Sequence, residues 1–392
     1  MEHTVANSTA ISQPTKRLVW IDIAKGIGIL WVVYFHFFTN YVDTDTPPGI
    51  PSPMSGHFLN DLIGTHAWDS LGSGAATLGN MVWLAVSQVG FHAVGLFVLL
   101  GGWSLATATW RRAEKGRIEW RGWYEARFVR LYPMYWCAHL LLLLMPFTWL
   151  EPIDSRFLVS LTGLRWINLE TTFLYGNAAW WYFSMLIQLY AIFPVLFVSM
   201  RRFGLLRFGL GAAVIGFGMR YMLLVEWKAN GLWLLGANAL SRLPEFAIGM
   251  ILGISHLKNP TIIERWLLGP QAVAFGFVLY AFAPQFQTGS AYIFADCYSA
   301  ICCSLVVVGL SGLIEKSAFA SKWLSLVGTY SFGLFLTHQP LVTWLGQLIK
   351  SLPISEFLLV SVGVLWLLSA ASIALERAVN VLTDRLYTAR KS

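Results

Sequence analysis

The chain has 392 residues, of which 56% are hydrophobic and only 12% charged, with a formal charge of +7 and a mean hydropathy of +0.60. Soluble domains carry about 25% charged residues, and no water-soluble core calls for 19 Trp and 26 Phe spread along the whole length. Soluble multidomain, disordered, collagen-like and disulfide-scaffold classes are thereby excluded, and the composition predicts an all-α polytopic membrane protein.

Ten apolar runs reach the length that crosses the hydrocarbon layer: roughly 18–38, 78–106, 131–150, 179–199, 205–225, 236–256, 266–283, 291–314, 325–347 and 355–375. With the N-terminus in the cytoplasm, 21 of the 27 Lys and Arg fall on the inner side, and the other six are Arg156, Arg165, Arg220, Lys228, Arg242 and Lys350. The positive-inside rule then predicts a bundle of about ten helices with both termini cytoplasmic. The first run is too long for a signal peptide and no small-x-small cleavage site follows it. The expected organisation is a cytoplasmic tail at 1–17, a transmembrane domain at 18–375 and a basic cytoplasmic tail at 376–392, with outer loops at 39–77 and 151–178. The basic residues sit in short clusters between apolar runs, which signals topology and a lipid bilayer rather than nucleic acid. Cys137, Cys297, Cys302 and Cys303 all lie inside apolar runs and read as small core residues.

Ionisable groups within a span are expensive, which makes them candidates for function. In the first run, DIAKGIGILWVVYFHFF, Asp22 and Lys25 mark the inner end and His36 lies far along the helix. At 1.5 Å per residue the rise from Asp22 to His36 is about 21 Å. His36 therefore belongs to the outer half, as an interfacial anchor or as a general base that takes a hydroxyl proton near neutral pH. The inner loop WRRAEKGRIEWRGWYEARFVRLYPMYW is strongly basic. Arg127 and Arg130, at i and i+3, share one face of a short helix expected to end at Tyr132-Pro133. Such a pair suits bidentate phosphate binding or lipid headgroups.

Further along, Gly101-Gly102 in FVLLGGWS permits close backbone approach. Arg242 and Glu245 flank Pro244 at i and i+3 and form a candidate ion pair, Asp296 is a carboxylate inside the eighth run, and His338 closes SFGLFLTHQP in the ninth. Asp22, Arg242, Glu245, Asp296 and His338 are carried as candidate substrate-contacting residues. His92 and His139 read as core or interface residues. His57 and His66 lie in a loop without metal-ligand spacing, and no metal is expected. Phosphate-binding glycine loops, the G-x-S-x-G elbow, H-E-x-x-H and the H-x4-D acyltransferase pattern are all absent.

An ordered set of segments resembles the acyltransferase 3 family of integral-membrane acyltransferases, which includes bacterial O-acetylases of envelope polysaccharides. The opening Arg17…Asp22-x-x-Lys25-Gly26…His36 is similar to the family's first-span pattern, with Lys25 where Arg is usual. FVLLGGW resembles its second-span segment, with Gly101 where Ser is common, and Arg127-x-x-Arg130-x-Tyr132-Pro133 matches its R-x-x-R-x-x-P element. WWYFSMLIQLYAIFP follows, with Gln188 near where Glu is frequent, and RLPEFAIGMILG, SFGLFLTHQPL and LERAVNVL complete the order.

The resemblance implies an acyltransferase, of the class that moves groups other than aminoacyl groups, working across a bacterial inner membrane. Acetyl-CoA would be the cytoplasmic donor. The acceptor would be a hydroxyl of a glycan or lipid-linked saccharide on the periplasmic side, with other polysaccharide-synthesis proteins as partners. His36 would be the catalytic residue and Arg127 with Arg130 would bind the donor, while Arg242 is a cation able to steady an oxyanion. Direct transfer and an acetyl-His intermediate both remain open. A transporter or exporter, and a non-catalytic subunit of a polysaccharide assembly complex, are the alternative readings.

Overall fold

The computed structural model describes residues 18–41, 75–144, 153–173, 175–229, 231–286 and 289–389. Arg17, His57 and His66 lie outside the described residues, as do residues 1–17 and most of the first outer loop. The described residues are helical with no strand. In chain order the α-helices are α1 (Val19–Tyr41), α2 (Ala75–Glu114), α3 (Trp120–Leu144), α4 (Ser155–Thr162), α5 (Leu169–Phe173), α6 (Trp181–Tyr221) and α7 (Leu243–Lys258). They continue as α8 (Pro260–Leu267), α9 (Pro270–Tyr280), α10 (Tyr292–Ile314), α11 (Ala318–Thr329), α12 (Ser331–Leu348) and α13 (Ile354–Ala389).

Among the described residues five helical segments are long and apolar enough to cross a membrane, and the pair α8 and α9, bent by 58°, makes six. One of the five holds two of the expected runs. In α6, Gly204 adopts φ 79° and ψ 167°, a conformation that glycine reaches without a Cβ clash, and the helix breaks there. Before the break, Gln188 reaches Ala237 and Phe193 meets the ring of Phe246. After it, Gly209 lies beside Ile251 and Gly216 beside Pro244. The contacts climb along α7 and then descend, so the two halves of α6 run antiparallel as a hairpin.

Four expected boundaries move. The α3 helix does not end at Tyr132-Pro133 but runs through Pro133 to Leu144. A proline removes one backbone hydrogen bond, and three ring donors carried by α3 itself tie this stretch to α4. Tyr135, Trp136 and Tyr132 donate to the carbonyls of Ser160, Leu161 and Thr162 at 2.7, 3.0 and 2.7 Å. Those carbonyls lie in the C-terminal turn of α4, where the Leu161 and Thr162 carbonyls gain a partner and that of Ser160 also accepts the Gly163 N–H. The run at 236–256 becomes helical only at Leu243, after an irregular stretch in which Asn238 caps Leu240. The run at 325–347 divides at Tyr330 into α11 and α12. At the C-terminus, α13 passes unbroken through the boundary drawn at 375, and Glu376 within it is buried and accepts the Gly333 N–H at 2.7 Å.

The α1 helix is central, touching α2, α10, α11, α12 and α13. Its approach to α11 is backbone to backbone. A Cβ on Gly26 would strike the Leu324 carbonyl, and one on Gly328 would strike the Asp22 carbonyl. Absent side chains thus seat Asp22 and Lys25 against the α11–α12 junction.

Candidate active site

The site begins with a proline. Pro340 has no N–H to give to the carbonyl four residues back, that of Leu336. Two buried donors replace it: Asn177 Nδ2 at 3.0 Å and Trp180 Nε1 at 2.9 Å. The segment before α6 is thereby fastened to the kink in α12, and the turn carrying His338 is fixed. His338 is fully buried, and its Nδ1 lies 3.0 Å from the Leu334 carbonyl and 2.9 Å from that of Phe335. Carbonyls only accept, so Nδ1 carries the hydrogen and Nε2 holds the lone pair. That Nε2 is buried and has no hydrogen-bond partner.

His36 faces it. The two imidazole centroids are 5.3 Å apart with the rings tilted by 42°. His36 stands near the C-terminal end of α1, half-buried, with its other edge against Phe35. A chain of rings leads away from the pair: Phe335 lies 5.9 Å from His338, and Tyr182 lies 5.0 Å from Phe335.

Phe335 and Tyr182 also form part of the wall of a cavity of about 160 Å³, together with Asp22, Lys25, Arg130 and Ser331. Its cationic end is built by α1 and α3, and its apolar wall leads towards His338. Arg127 lies one turn before Arg130, with its guanidinium 5.1 Å from the Trp123 ring centroid and its Nε buried without a partner. Among the described residues no carboxylate lies within salt-bridge distance of either arginine. Glu376 is within electrostatic range of Arg130. Four of the sequence candidates therefore fall into two connected places, with Asp22 and Arg130 at the cavity and His36 with His338 beyond its apolar end.

A third place gathers Arg242, Glu245 and Asp296 with a residue the sequence reading had counted as an outer cation, Arg220. Arg220 Nη1 contacts Asp296 Oδ2 at 2.8 Å, Arg242 Nη1 contacts Glu245 Oε1 at 2.9 Å, and the same Nη1 lies 3.5 Å from Asp296 Oδ1. Arg220 also donates to the carbonyls of Ile293, Leu234 and Tyr292, and Arg242 Nε donates to that of Leu235. Two cations face two carboxylates and backbone carbonyls take up further donors, as a buried ionic cluster requires, while Glu245 Oε2 is buried without a hydrogen-bond partner. Arg242 is held by two carboxylates, in keeping with the ion-pair reading. His92 and Tyr182 are both within electrostatic reach of this cluster.

Two further sites went unread in the sequence. Gln188 Oε1 accepts the Ala239 N–H at 3.1 Å while its Nε2 donates to the Ala237 carbonyl at 3.1 Å. The amide thus clasps the irregular stretch before α7, a task for one donor and one acceptor that a carboxylate cannot do. Arg165 is fully buried, donating to Ser160 Oγ and to the carbonyls of Thr172, Tyr175 and Asn177. His139 holds the other side of Ser160 through Nε2 at 2.8 Å and stacks on Trp180 at 3.8 Å. The common signal is an arginine or amide inside an apolar segment, which a hydropathy reading passes over. No group of three or more His, Cys, Asp or Glu converges as a metal site among the described residues.

A family model for an acyltransferase domain matches residues 18–373. The chain belongs to the acyltransferase 3 family. It is a membrane acyltransferase, and the match begins at the residue before α1 and covers every site described above. No curated protein and no solved structure matches the chain.

Proposed function

We propose that this acyltransferase is an O-acetyltransferase of the bacterial inner membrane. It takes the acetyl group of cytoplasmic acetyl-CoA and places it on a hydroxyl of a cell-envelope or exopolysaccharide glycan, free or lipid-linked, on the opposite face. The observation that carries this reading is the layout of α1: Asp22 and Lys25 stand in the wall of the cationic cavity and His36 stands about 16 Å beyond Lys25 along the same helix. The phosphates of the donor suit the Arg130 and Arg127 end, since neither guanidinium has a carboxylate partner and Arg127 Nε is an orphaned donor. A pantetheine arm is long and thin enough to follow the apolar wall past Phe335 to the imidazole pair. His36, the more exposed of the two rings, acts as general base on the acceptor hydroxyl as its oxygen attacks the thioester carbonyl.

The proposed topology is ten spans with both termini in the cytoplasm, which puts the cationic cavity on the donor side. Three of the six cations assigned outside the cytoplasm, Arg165, Arg220 and Arg242, are buried in the protein with hydrogen-bonding partners, so they do not weigh against that orientation. The test is transfer of labelled acetyl from acetyl-CoA by the purified protein, with and without candidate glycans. Turnover that requires both substrates supports the reading, whereas failure to consume acetyl-CoA with any glycan contradicts it.

A further inference from the structure

We propose that His338 relays the proton of the acceptor hydroxyl from His36 to the departing thiolate of the donor. The inference rests on the reading of His36 as the base, and it is carried by the placement of His338 between the two substrates' approaches.

Five observations support it. The Nδ1–H of His338 is spent on two backbone carbonyls, so its tautomer is fixed with the lone pair on Nε2. That nitrogen is buried and unpartnered, and a buried polar atom left so is unfavourable unless something else uses it. The imidazole of His36 lies against the ring at a centroid distance of 5.3 Å. His338 also lies 5.9 Å from Phe335, whose ring belongs to the cationic cavity that the proposed function gives to the donor's head. His338 is also immobilised, since its helical turn is tied through the Leu336 carbonyl to Asn177 and Trp180. The half-buried His36 keeps the freedom to turn an N–H towards it. A merely structural histidine at this position would need only Nδ1.

The step balances. The acceptor oxygen bonds to the thioester carbonyl carbon while its proton passes to His36, and the C–S bond breaks to release the thiolate. His36, now imidazolium, gives that proton to His338 Nε2, which passes it on to the thiolate sulfur. One C–O bond is made and one C–S bond is lost, the proton ends on the free thiol, and both imidazoles return to neutral. The second imidazole gives the proton a route from the acceptor oxygen to the leaving sulfur.

The experiment measures acetyl-CoA turnover with a glycan acceptor for purified wild type, His338→Asn, His36→Ala and the double variant, normalised to folded protein. Asparagine keeps an amide N–H where Nδ1 stands but has nothing at Nε2. The expected result is a fall in kcat of about 100-fold or more in His338→Asn, with KM for both substrates within a few-fold of wild type. The double variant should be no slower than His36→Ala, because residues acting in one relay are not additive. His338→Gln, which cannot place its amide at Nδ1 but fills the ring's volume, should be equally slow if His338→Asn accumulates poorly. Activity of His338→Asn within about three-fold of wild type while His36→Ala is inactive overturns the relay and leaves the His36 reading standing. Losses that multiply in the double variant also overturn it. An active His36→Ala removes the reading and the relay together.

Discussion

Arg220 Nη1 lies 2.8 Å from Asp296 Oδ2, with only 1% and 7% of the two side chains exposed, and this contact joins α6 to α10 inside the bundle. Glu245 and Arg242 complete the cluster, so that Asp296 answers two cations at once. Its removal leaves Arg220 and Arg242 with one carboxylate between them. Losing one partner of a buried ion pair costs about 3–5 kcal/mol. Asp296→Asn is therefore expected to lower the thermal midpoint of the purified protein and its yield in the membrane. A midpoint unchanged from wild type would show that the cluster does not hold the helices together.

Arg130→Ala is expected to weaken use of the donor more than use of the acceptor. Arg130 stands in the cavity wall without a salt-bridge partner, so a donor phosphate is its natural counter-charge. One charge-assisted contact is worth about 1.5–3 kcal/mol, which corresponds to a rise of roughly 10- to 100-fold in KM for acetyl-CoA. Arg127→Ala should act in the same direction. Steady-state kinetics at saturating acceptor reads the effect directly, and an unaltered KM in both variants would remove the donor role.

Gln188→Glu brings in the residue frequent in the family, yet it is expected to harm this chain. The amide gives a hydrogen to the Ala237 carbonyl, and a carboxylate would place negative charge against that oxygen. An unpaired buried group costs about 1–3 kcal/mol, seen as a lower thermal midpoint. Gln188→Glu with equal stability and higher activity would contradict the clasp described here.

Topology is open to cysteine labelling at exposed positions. Lys228→Cys and Lys350→Cys should react with impermeant thiol reagent from outside, and Lys316→Cys and Lys322→Cys only after the inner face is opened. Labelling of the second pair in intact cells would invert the assignment of the cationic cavity to the donor side.

The membrane architecture was legible because each apolar run must satisfy its own backbone, and helices do so. The hairpin in α6 was legible as well: the break between the runs at 199 and 205 falls on the residues around Gly204. What stayed hidden depends on contacts between distant segments. Nothing local in SFGLFLTHQP reveals that His338 meets His36, because the encounter is set by the packing of α12 on α1. Arg220, inside the run at 205–225, was counted only as a cation of the outer side because hydropathy cannot distinguish an arginine at a span's end from one folded back onto Asp296. Pro133 looked like a helix end because the carbonyls that hold the neighbouring ring donors belong to α4, a contact no sequence window shows.

The central claim is that His36 takes the proton from the acceptor hydroxyl. The measurement is acetylated glycan formed per molecule of membrane protein, for wild type against His36→Ala and His36→Gln, with the protein quantified in the same membranes. Loss of a general base lowers the rate by about 10²–10⁴-fold, and both variants are expected to lose that much while accumulating normally. Glycan acetylation within a few-fold of wild type in either variant would contradict the account.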